Sequence, residues 1–580
     1  MASIIKSRLV ALPEGEPALW PTELDDGTSR PINKYESSLA DAVAAKMEDG
    51  NIRAAVRLLC SNEKPSPLSD ATYVKLQDKH PRAPSDRQSS PPIISTTVVS
   101  VDEDEVLAAI RLFSAGSSGG PDGFRPKHLL DLVSCKESGS ELLSALTGFI
   151  NLLLSGTCHP DIIPILFGGR LIALDKHSGD IRPIAVGFTL RRLASKCVNS
   201  FATNKLASYF SPHQLGAGVK GGCEAAVHAT RRFLNSLPQN SVIAKLDFSN
   251  AFNCLHRDVM LSEVMRQCPE IYNYCRLSYN QSSILWFGDR IIHSQEGPQQ
   301  GDPLGPLLFC IALHPLLSSL KSSLNIGYMD DVTLGGHEDV VEKDVAFLSE
   351  SGASIGLHLN INKCELIHAG DYIPGTSNLR SFQSVSLSKA TLLGAPLLTG
   401  HGLDDALDDC CTDLSSAINR LKSIESHDAL ILLRSCFCAP KVQHILRCTP
   451  CNGHPALGHF DSLLRSGLSA IVNSDLSDIS WLQACLPVRE GGLGIRRTAS
   501  LALSAFLASA AGTRDLQDQI LVDSGCAFIP KRNSTYSFGL LHFLCLCRFF
   551  PPLPSSRNGK SHAFRPTEPQ YLTTSATATI

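Results

Sequence analysis

Two adjacent carboxylates set inside an apolar stretch constrain this chain more than any other feature. In Gly327-Tyr328-Met329-Asp330-Asp331-Val332 the acids are flanked by apolar residues, so Asn325 to Thr333 reads as two short strands with the acids at the hairpin tip. A further acid, Asp247, ends the apolar strand candidate Ser241 to Leu246 and is followed by Phe248-Ser249-Asn250-Ala251-Phe252. Between them, Gln299-Gln300-Gly301-Asp302-Pro303-Leu304 is a turn-rich loop entering an apolar helix. Carboxylates crowded in apolar surroundings repel, and one rises in pKa unless a cation neutralises them. Mg²⁺ takes oxygen ligands and keeps room for water and substrate phosphates. Two such ions about 3.5–4 Å apart clamp the attacking and leaving oxygens of a phosphoryl transfer. An isolated Asp-Asp pair is usually a solvated turn; the order and spacing of the three segments argue against that reading here.

Composition narrows the classes. The 580 residues are 43% apolar and 19% charged with a mean hydropathy of +0.03, which excludes a collagen-like, mucin-like or wholly disordered chain. The length suggests about three or four domains or lobes. No uninterrupted apolar run of about 18 residues occurs; the nearest, Phe538 to Pro554, is broken by His542 and Arg548. Lys6 and Arg8 precede no long apolar core, and the 20 cysteines are scattered. The expectation is a chain with no membrane span or secretory signal, in a reducing intracellular compartment, nuclear or cytoplasmic. The net charge is -4, but residues 151–260 hold 12 Lys and Arg against 6 Asp and Glu, a local +6 where a polyanion would dock.

Along the chain, apolar residues at helical spacing mark 38–60, with a break at Gly50-Asn51. Pro81 to Pro92 reads as a flexible connector. Val101 to Phe113 reads as a helix with acids 102–105 in its first turn. Ser114 to Gly123 must be a loop. Glu141 to Ser155 is amphipathic, Arg170 to Leu174 is a strand candidate, and His427 to Arg447 is helical with an interruption at Pro440. Cys448, Cys451, His454 and His459 invite zinc, but their spacing matches no knuckle. After about residue 530 the pattern dissolves, and the tail reads as disordered.

Taken in order, the segments resemble the reverse transcriptase domain of non-LTR retrotransposons, over roughly residues 100 to 450. The motifs are Ser118-Gly119-Gly120-Pro121-Asp122-Gly123, then Arg182-Pro183-Ile184 with Arg192-Leu193, then Asp247 with Ala251-Phe252. Gln300-Gly301-Asp302-Pro303-Leu304 and Tyr328-Met329-Asp330-Asp331 follow. Next come Gly356-Leu357-His358-Leu359-Asn360 with Lys363-Cys364-Glu365, and last Leu392-Leu393-Gly394-Ala395-Pro396-Leu397. Any one is weak; seven in family order are very specific.

The resemblance implies an α+β right-hand polymerase fold with fingers, a palm built on an antiparallel sheet, and a thumb. It implies an N-terminal extension and linker over 1–95, fingers and palm over 96–400, a thumb-like helical region over 401–475, a C-terminal helical region over 476–530 and a disordered tail over 531–580. The implied activity is RNA-directed DNA polymerisation, a nucleotidyl transfer onto a primer 3′-hydroxyl with two Mg²⁺ ions, or Mn²⁺ in their place. RNA template, DNA primer and dNTPs are the implied partners; nothing in the sequence sets an oligomeric state. By resemblance Asp247, Asp330 and Asp331 are catalytic and hold the metals together with the Phe248 carbonyl. Lys176, Arg182, Phe252, Gln300 and Gly301 would bind the nucleotide, with Phe252 excluding a 2′-hydroxyl. Lys363 would protonate the pyrophosphate, and Leu393, Gly394 and Ala395 would grip the primer. Arg434, Lys441 and Arg447 would meet duplex phosphates. Many relatives carry Ser or Val at Asp302, so the acid there is a departure, and it could cap the following helix.

Two other functions stay open on the sequence. An RNA-templated RNA polymerase shares the palm, but usually has Ser-Gly in place of Gln300-Gly301 and a small or polar residue in place of Phe252. A truncated, non-catalytic nucleic-acid-binding remnant would explain why no endonuclease is evident, although the three acids are intact.

Overall fold

The computed structural model describes residues 39–60, 65–88, 90–93, 98–176, 179–236, 240–368 and 379–522. The expected tail 531–580 and the first 38 residues lie outside them.

Two sheets organise the described chain. The four-stranded sheet joins β1 (Gly169–Asp175), β2 (Ile181–Gly187), β4 (Ser283–Phe287) and β5 (Arg290–Ser294) in the order β2-β1-β4-β5. Its two hairpins, β1–β2 and β4–β5, meet through a parallel β1–β4 contact. Leu171, Ala173, Ala185 and Leu285 pack against Leu76 of the helix Asp70–Lys79.

The five-stranded sheet joins β3 (Ser241–Leu246), β6 (Leu324–Tyr328), β7 (Asp331–His337), β8 (Glu365–His368) and β9 (Gln383–Ser386) in the order β6-β7-β3-β8-β9. Every neighbouring pair is antiparallel except β8–β9. β3 is central and apolar on both faces. Val242, Ala244 and Leu246 enter a large core with Leu308 of the helix Gly305–Ser319 and Leu348 of the helix Glu338–Ser354. Ile243 enters the opposite core with Phe233 of the helix Gly222–Asn235. Side chains alternate along a strand, so Lys245 and Asp247 share the second face. There a short hairpin, β10 (Thr391–Leu392) and β11 (Ala395–Pro396), adds Leu392 and Ala395 to the core.

A third, helical core holds Leu407 and Leu414 of His401–Leu421, Leu432 of Ser426–Leu432, Leu446 of Ala439–Cys448, Leu464 of Pro455–Val472 and Ala502 of Thr498–Gly512. The interruption expected at Pro440 is a π-helical turn, Leu433–Phe437, after which proline sits in the first turn of the next helix, where its missing N–H costs nothing. This run, Ser426–Cys448, is long and apolar enough to cross a membrane, and half of its most apolar window is buried inside the protein. The helices Leu39–Glu48 and Ile52–Cys60, N-terminal in sequence, complete the same core through Val43, Ala55 and Leu59.

The described residues within Pro81 to Pro92 form no regular element, yet they are not a free connector. Ala83 N–H donates to Gln295 at 2.9 Å and Gln88 N–H to Asp258 at 3.0 Å. Tyr272 and Arg276 both donate to the Pro91 carbonyl, at 2.6 and 2.9 Å. Each proline removes a donor but keeps its carbonyl, and two side chains of the helix Tyr272–Tyr279 take up that of Pro91.

Candidate active site

β3 ends at Leu246, and the next residue is Asp247, whose carbonyl accepts from Asn360 N–H at 2.7 Å. β6 and β7 pair as far as Tyr328↔Asp331, which leaves Met329 and Asp330 as a two-residue turn. Met329 lies at φ +58, a left-handed conformation that costs a non-glycine residue about 1–2 kcal/mol. β3 and β7 are in register at Leu246↔Val332, so one step further Asp247 stands opposite Asp331 on the same face of the sheet.

The three acids feel one another. Burial, then the charges of Asp330 and Asp247, push the Asp331 carboxyl up to about 6, against the pull of Lys245. Asp331 is the most exposed of the three, so the neighbouring charges are the cause that the strand register itself enforces. Asp330 is also raised, first by burial and then by Asp247, while Arg182 and Lys176 pull it down. Among the described residues no three His, Cys, Asp or Glu side chains close a metal site by themselves. An open set of mutually repelling carboxylates nonetheless fits a hard divalent cation whose shell is completed by water and substrate oxygens.

A cavity of about 250 Å³ opens from Asp247 and Asp331 to Leu393 and Gly394, with Lys363 on its wall. Leu393 at φ +48 and Gly394 at φ +77 are the two central residues of the β10–β11 hairpin, the double left-handed turn that matches strand twist. His444 of the helix Ala439–Cys448 hydrogen-bonds the Leu393 carbonyl at 2.9 Å. Lys363 does not pair with Glu365, because Lys245 does, at 2.6 Å.

Lys176 and Arg182 flank the β1–β2 hairpin tip. Both lower the pKa of Asp330, which places them toward the acids. Lys176 is itself lowered, first by burial and further by Arg182, Lys363 and Lys79, while Asp180 opposes. Cations from two lobes therefore share one space, an arrangement that suits an oligophosphate.

Phe252 is half-buried in the short helix Ala251–Cys254, its ring stacked on Phe309 at 4.7 Å. The loop after β5 docks on the edge of β2. Ala185 N–H donates to the Gln300 carbonyl at 2.7 Å. Gly301 lies at φ +127, and a Cβ there would meet the Ala185 oxygen at 2.3 Å, so this position demands glycine.

The sequence reading missed what holds that loop. Arg191 is buried and donates to Asp302 at 3.0 Å and to the Phe167 carbonyl at 2.6 Å. Tyr279 donates to the same Asp302 oxygen at 2.6 Å, and Asp302 accepts from Leu304 N–H at 3.0 Å. Asp302 does bond the start of the following helix, as a cap would, but it is chiefly the counter-ion of a buried arginine. The available signal was its departure from the Ser or Val of many relatives. The motif residue Arg192, next to Arg191, instead donates to the Ser118 carbonyl at 2.6 Å and lies over Phe113.

Two of the cations assigned to duplex phosphates are otherwise engaged. Arg447 makes a bidentate pair with Glu224 at 2.6 and 2.8 Å, and Lys441 pairs with Asp413 at 2.7 Å. Each is only partly buried, so acids on neighbouring helices capture them. Arg434 is exposed.

Comparison with known proteins follows the same residues. Residues 174–397 match the family model of reverse transcriptase (RNA-dependent DNA polymerase). The chain is 26% identical over 443 residues to the 132 kDa protein of the retrotransposable element SLACS of Trypanosoma brucei gambiense, covering 74% of the chain and 36% of that protein. It is 27% identical over 317 residues to the retrovirus-related Pol polyprotein from the type-2 retrotransposable element R2DM of Drosophila melanogaster, covering 48% of the chain and 28% of that protein. The chain thus spans about a third of the length of these relatives. Among solved structures, apo telomerase from Candida tropicalis aligns with a TM-score of 0.34 at 11% identity, over 66% of this chain and 72% of that one. Residues 174–397 thus match a reverse transcriptase domain, the two retrotransposon proteins are relatives of the chain by sequence, and the described residues form an α+β fold; chemistry in the matched family depends on a divalent metal.

Proposed function

We propose that the chain is an RNA-directed DNA polymerase that extends a DNA primer on an RNA template with dNTPs. The observation that carries this is the opposition of Asp247 and Asp331 across β3 and β7, at the mouth of a cavity that reaches Leu393 and Gly394. In this reading Asp247, Asp330, Asp331 and the Phe248 carbonyl hold two Mg²⁺ ions, replaceable by Mn²⁺. When bound, the ions neutralise charge on the attacking and leaving oxygens. The fingers and palm are residues 96–400, the thumb is 401–475, and the described residues that follow add Trp481, Ala484, Ile495 and Ala502 to its core.

The rest of the work falls to positioning and charge. The 3′-oxygen of the primer attacks the α-phosphorus of the dNTP, and pyrophosphate leaves. Lys176 and Arg182 bind the triphosphate from the fingers. Lys363, on the wall of the cavity, donates a proton to the departing pyrophosphate. Gln300 and Gly301 bring backbone close to the nucleotide and template. Leu393, Gly394 and Ala395 seat the primer end. Phe252 lies under the sugar and leaves no room for a 2′-hydroxyl.

Primer extension by the full chain on an RNA template tests this, with dNTPs against NTPs and with Mg²⁺ against EDTA. Metal-dependent dNTP incorporation is expected. Preferred NTP incorporation would favour an RNA polymerase, and binding without extension a non-catalytic remnant. In Phe252→Val, dNTP activity should persist while the dNTP/rNTP ratio of kcat/KM falls about a hundredfold, since each ~1.4 kcal/mol of lost steric clash is tenfold. An unchanged ratio would reduce the Phe252–Phe309 stack to core packing.

A further inference from the structure

The segment 213–216 belongs to no motif singled out above, yet it lies against the acid turn. Leu215 N–H donates to the Gly327 carbonyl at 2.7 Å, and Gly327 N–H donates to the His213 carbonyl at 2.6 Å. The segment thereby adds a parallel bridge to β6, the edge strand of the five-stranded sheet, whose backbone groups need a partner.

Gln214 is completely buried, and its side chain faces the turn. Its Oε1 accepts from Met329 N–H at 2.9 Å and from Gly216 N–H at 3.0 Å, while its Nε2 donates to the Met329 carbonyl at 3.1 Å. A primary amide carries an acceptor and a donor on one planar fork, which is what answering both backbone groups of a single residue requires. Two glycines keep the space open. A Cβ on Gly216 would sit 2.5 Å from Met329 N, and one on Gly327 would sit 3.1 Å from Gln214 Nε2. The residue so held is Met329, the one at φ +58.

We propose that Gln214 is a positioning residue for the acid turn: its amide bonds both backbone groups of Met329 and holds the left-handed conformation that directs Asp330 and Asp331. The catalytic consequence rests on the polymerase reading; the conformational one does not.

The test compares full-length wild type with Gln214→Met, which keeps length and loses both polar atoms. Hydrogen exchange is read by mass spectrometry on peptides covering 327–331, without metal. Exchange at the Met329 amide should quicken about tenfold or more, with β3 and β7 changed by less than about twofold. Single-nucleotide incorporation should lose about tenfold or more in kcat, with primer–template Kd within about twofold. Unchanged exchange at Met329 overturns the proposal, as does loosening spread evenly over β3, β6 and β7. If Gln214→Met does not fold, Gly216→Ala presses on the same Met329 N–H and is read in the same way. A wild type that incorporates no dNTP sinks the polymerase reading, while the exchange data still decide the role of Gln214.

Discussion

Two groups of carboxylates in this protein are built on opposite terms. Asp302 has a complete set of partners: Arg191, Tyr279 and Leu304 N–H, with the Arg191 and Asp302 side chains 2% and 1% exposed. Burial works against the charge of Arg191, but Asp302, Tyr279 and Tyr274 together outweigh it and the net shift is upward. Asp247, Asp330 and Asp331 stand instead against one another. Lys245, from the same sheet, pulls Asp331 down, and Lys176 and Arg182, from the β1–β2 hairpin, lower Asp330, yet neither acid returns to the ordinary carboxylate range. One group is a joint whose charges cancel within the protein. The other is left short of positive charge, which suits a site completed by cations from outside. A further acid, Glu224, lies between these extremes. It is paired with Arg447 at the seam between the helices Gly222–Asn235 and Ala439–Cys448, with side-chain exposures of 23% and 32%, and it also accepts from Ser509 at 2.6 Å.

The largest effect should come from breaking the complete set. Asp302→Ala leaves the Arg191 charge buried without its counter-ion, and removing one partner of a buried pair costs about 3–5 kcal/mol. Urea denaturation should show a loss of that order. A loss under about 1 kcal/mol would mean that water reaches Arg191 and that the joint is not dry.

The acid cleft should respond in the opposite direction. Asp331→Asn removes like-charge repulsion and should stabilise the metal-free protein at pH 7 by roughly 1 kcal/mol, after allowance for solvent screening. Activity should fall by at least about a hundredfold, since a charge-stabilising group is lost. The sign with pH follows from a folded pKa raised to about 6. The penalty of the ionised group is full above that value and is relieved as pH falls toward the ordinary carboxylate pKa near 4. The stability gap between variant and wild type should therefore close between about pH 7 and 4, as read by thermal unfolding in EDTA. A gap that widens on acidification would break the contrast with Asp302.

The smallest effect belongs to the intermediate pair. Glu224→Gln should cost about 1 kcal/mol or less, and raising salt should erase much of it. Hydrogen bonds from Arg447 and Ser509 hold the Glu224 pKa below its usual range. Its contribution is therefore present above the ordinary Glu pKa and is lost as pH falls through the lowered one. A cost insensitive to salt would place this seam with the Asp302 joint.

What could be read from the chain follows from how local each signal is. Ser241 to Leu246 declares a buried strand by composition, and an acid after it can only lie at the strand end. Met329-Asp330 between two apolar runs declares a turn. Gly301 is required because β2 passes within contact of its backbone, and Gly301-Asp302-Pro303 already marks a turn. These are properties of a few consecutive residues, and the order of seven such segments carried the family resemblance. Pairings were not legible in the same way. Asp302 looked like a helix cap because its local neighbours permit one, while its counter-ion lies 111 residues away. Arg447 looked free for a phosphate because Glu224 is 223 residues distant. Gln214 carried no local mark at all, and the residue it holds is 115 positions further on.

The sequence by itself determined the chemistry available and the short elements that present it: three acids, flanking cations, and the turns that glycine and apolar alternation impose. Only the tertiary structure decided which of those charges are satisfied. Burial and counter-charge are set by residues brought together across hundreds of positions, and a carboxylate's role turns on its surroundings more than on its neighbours in the chain.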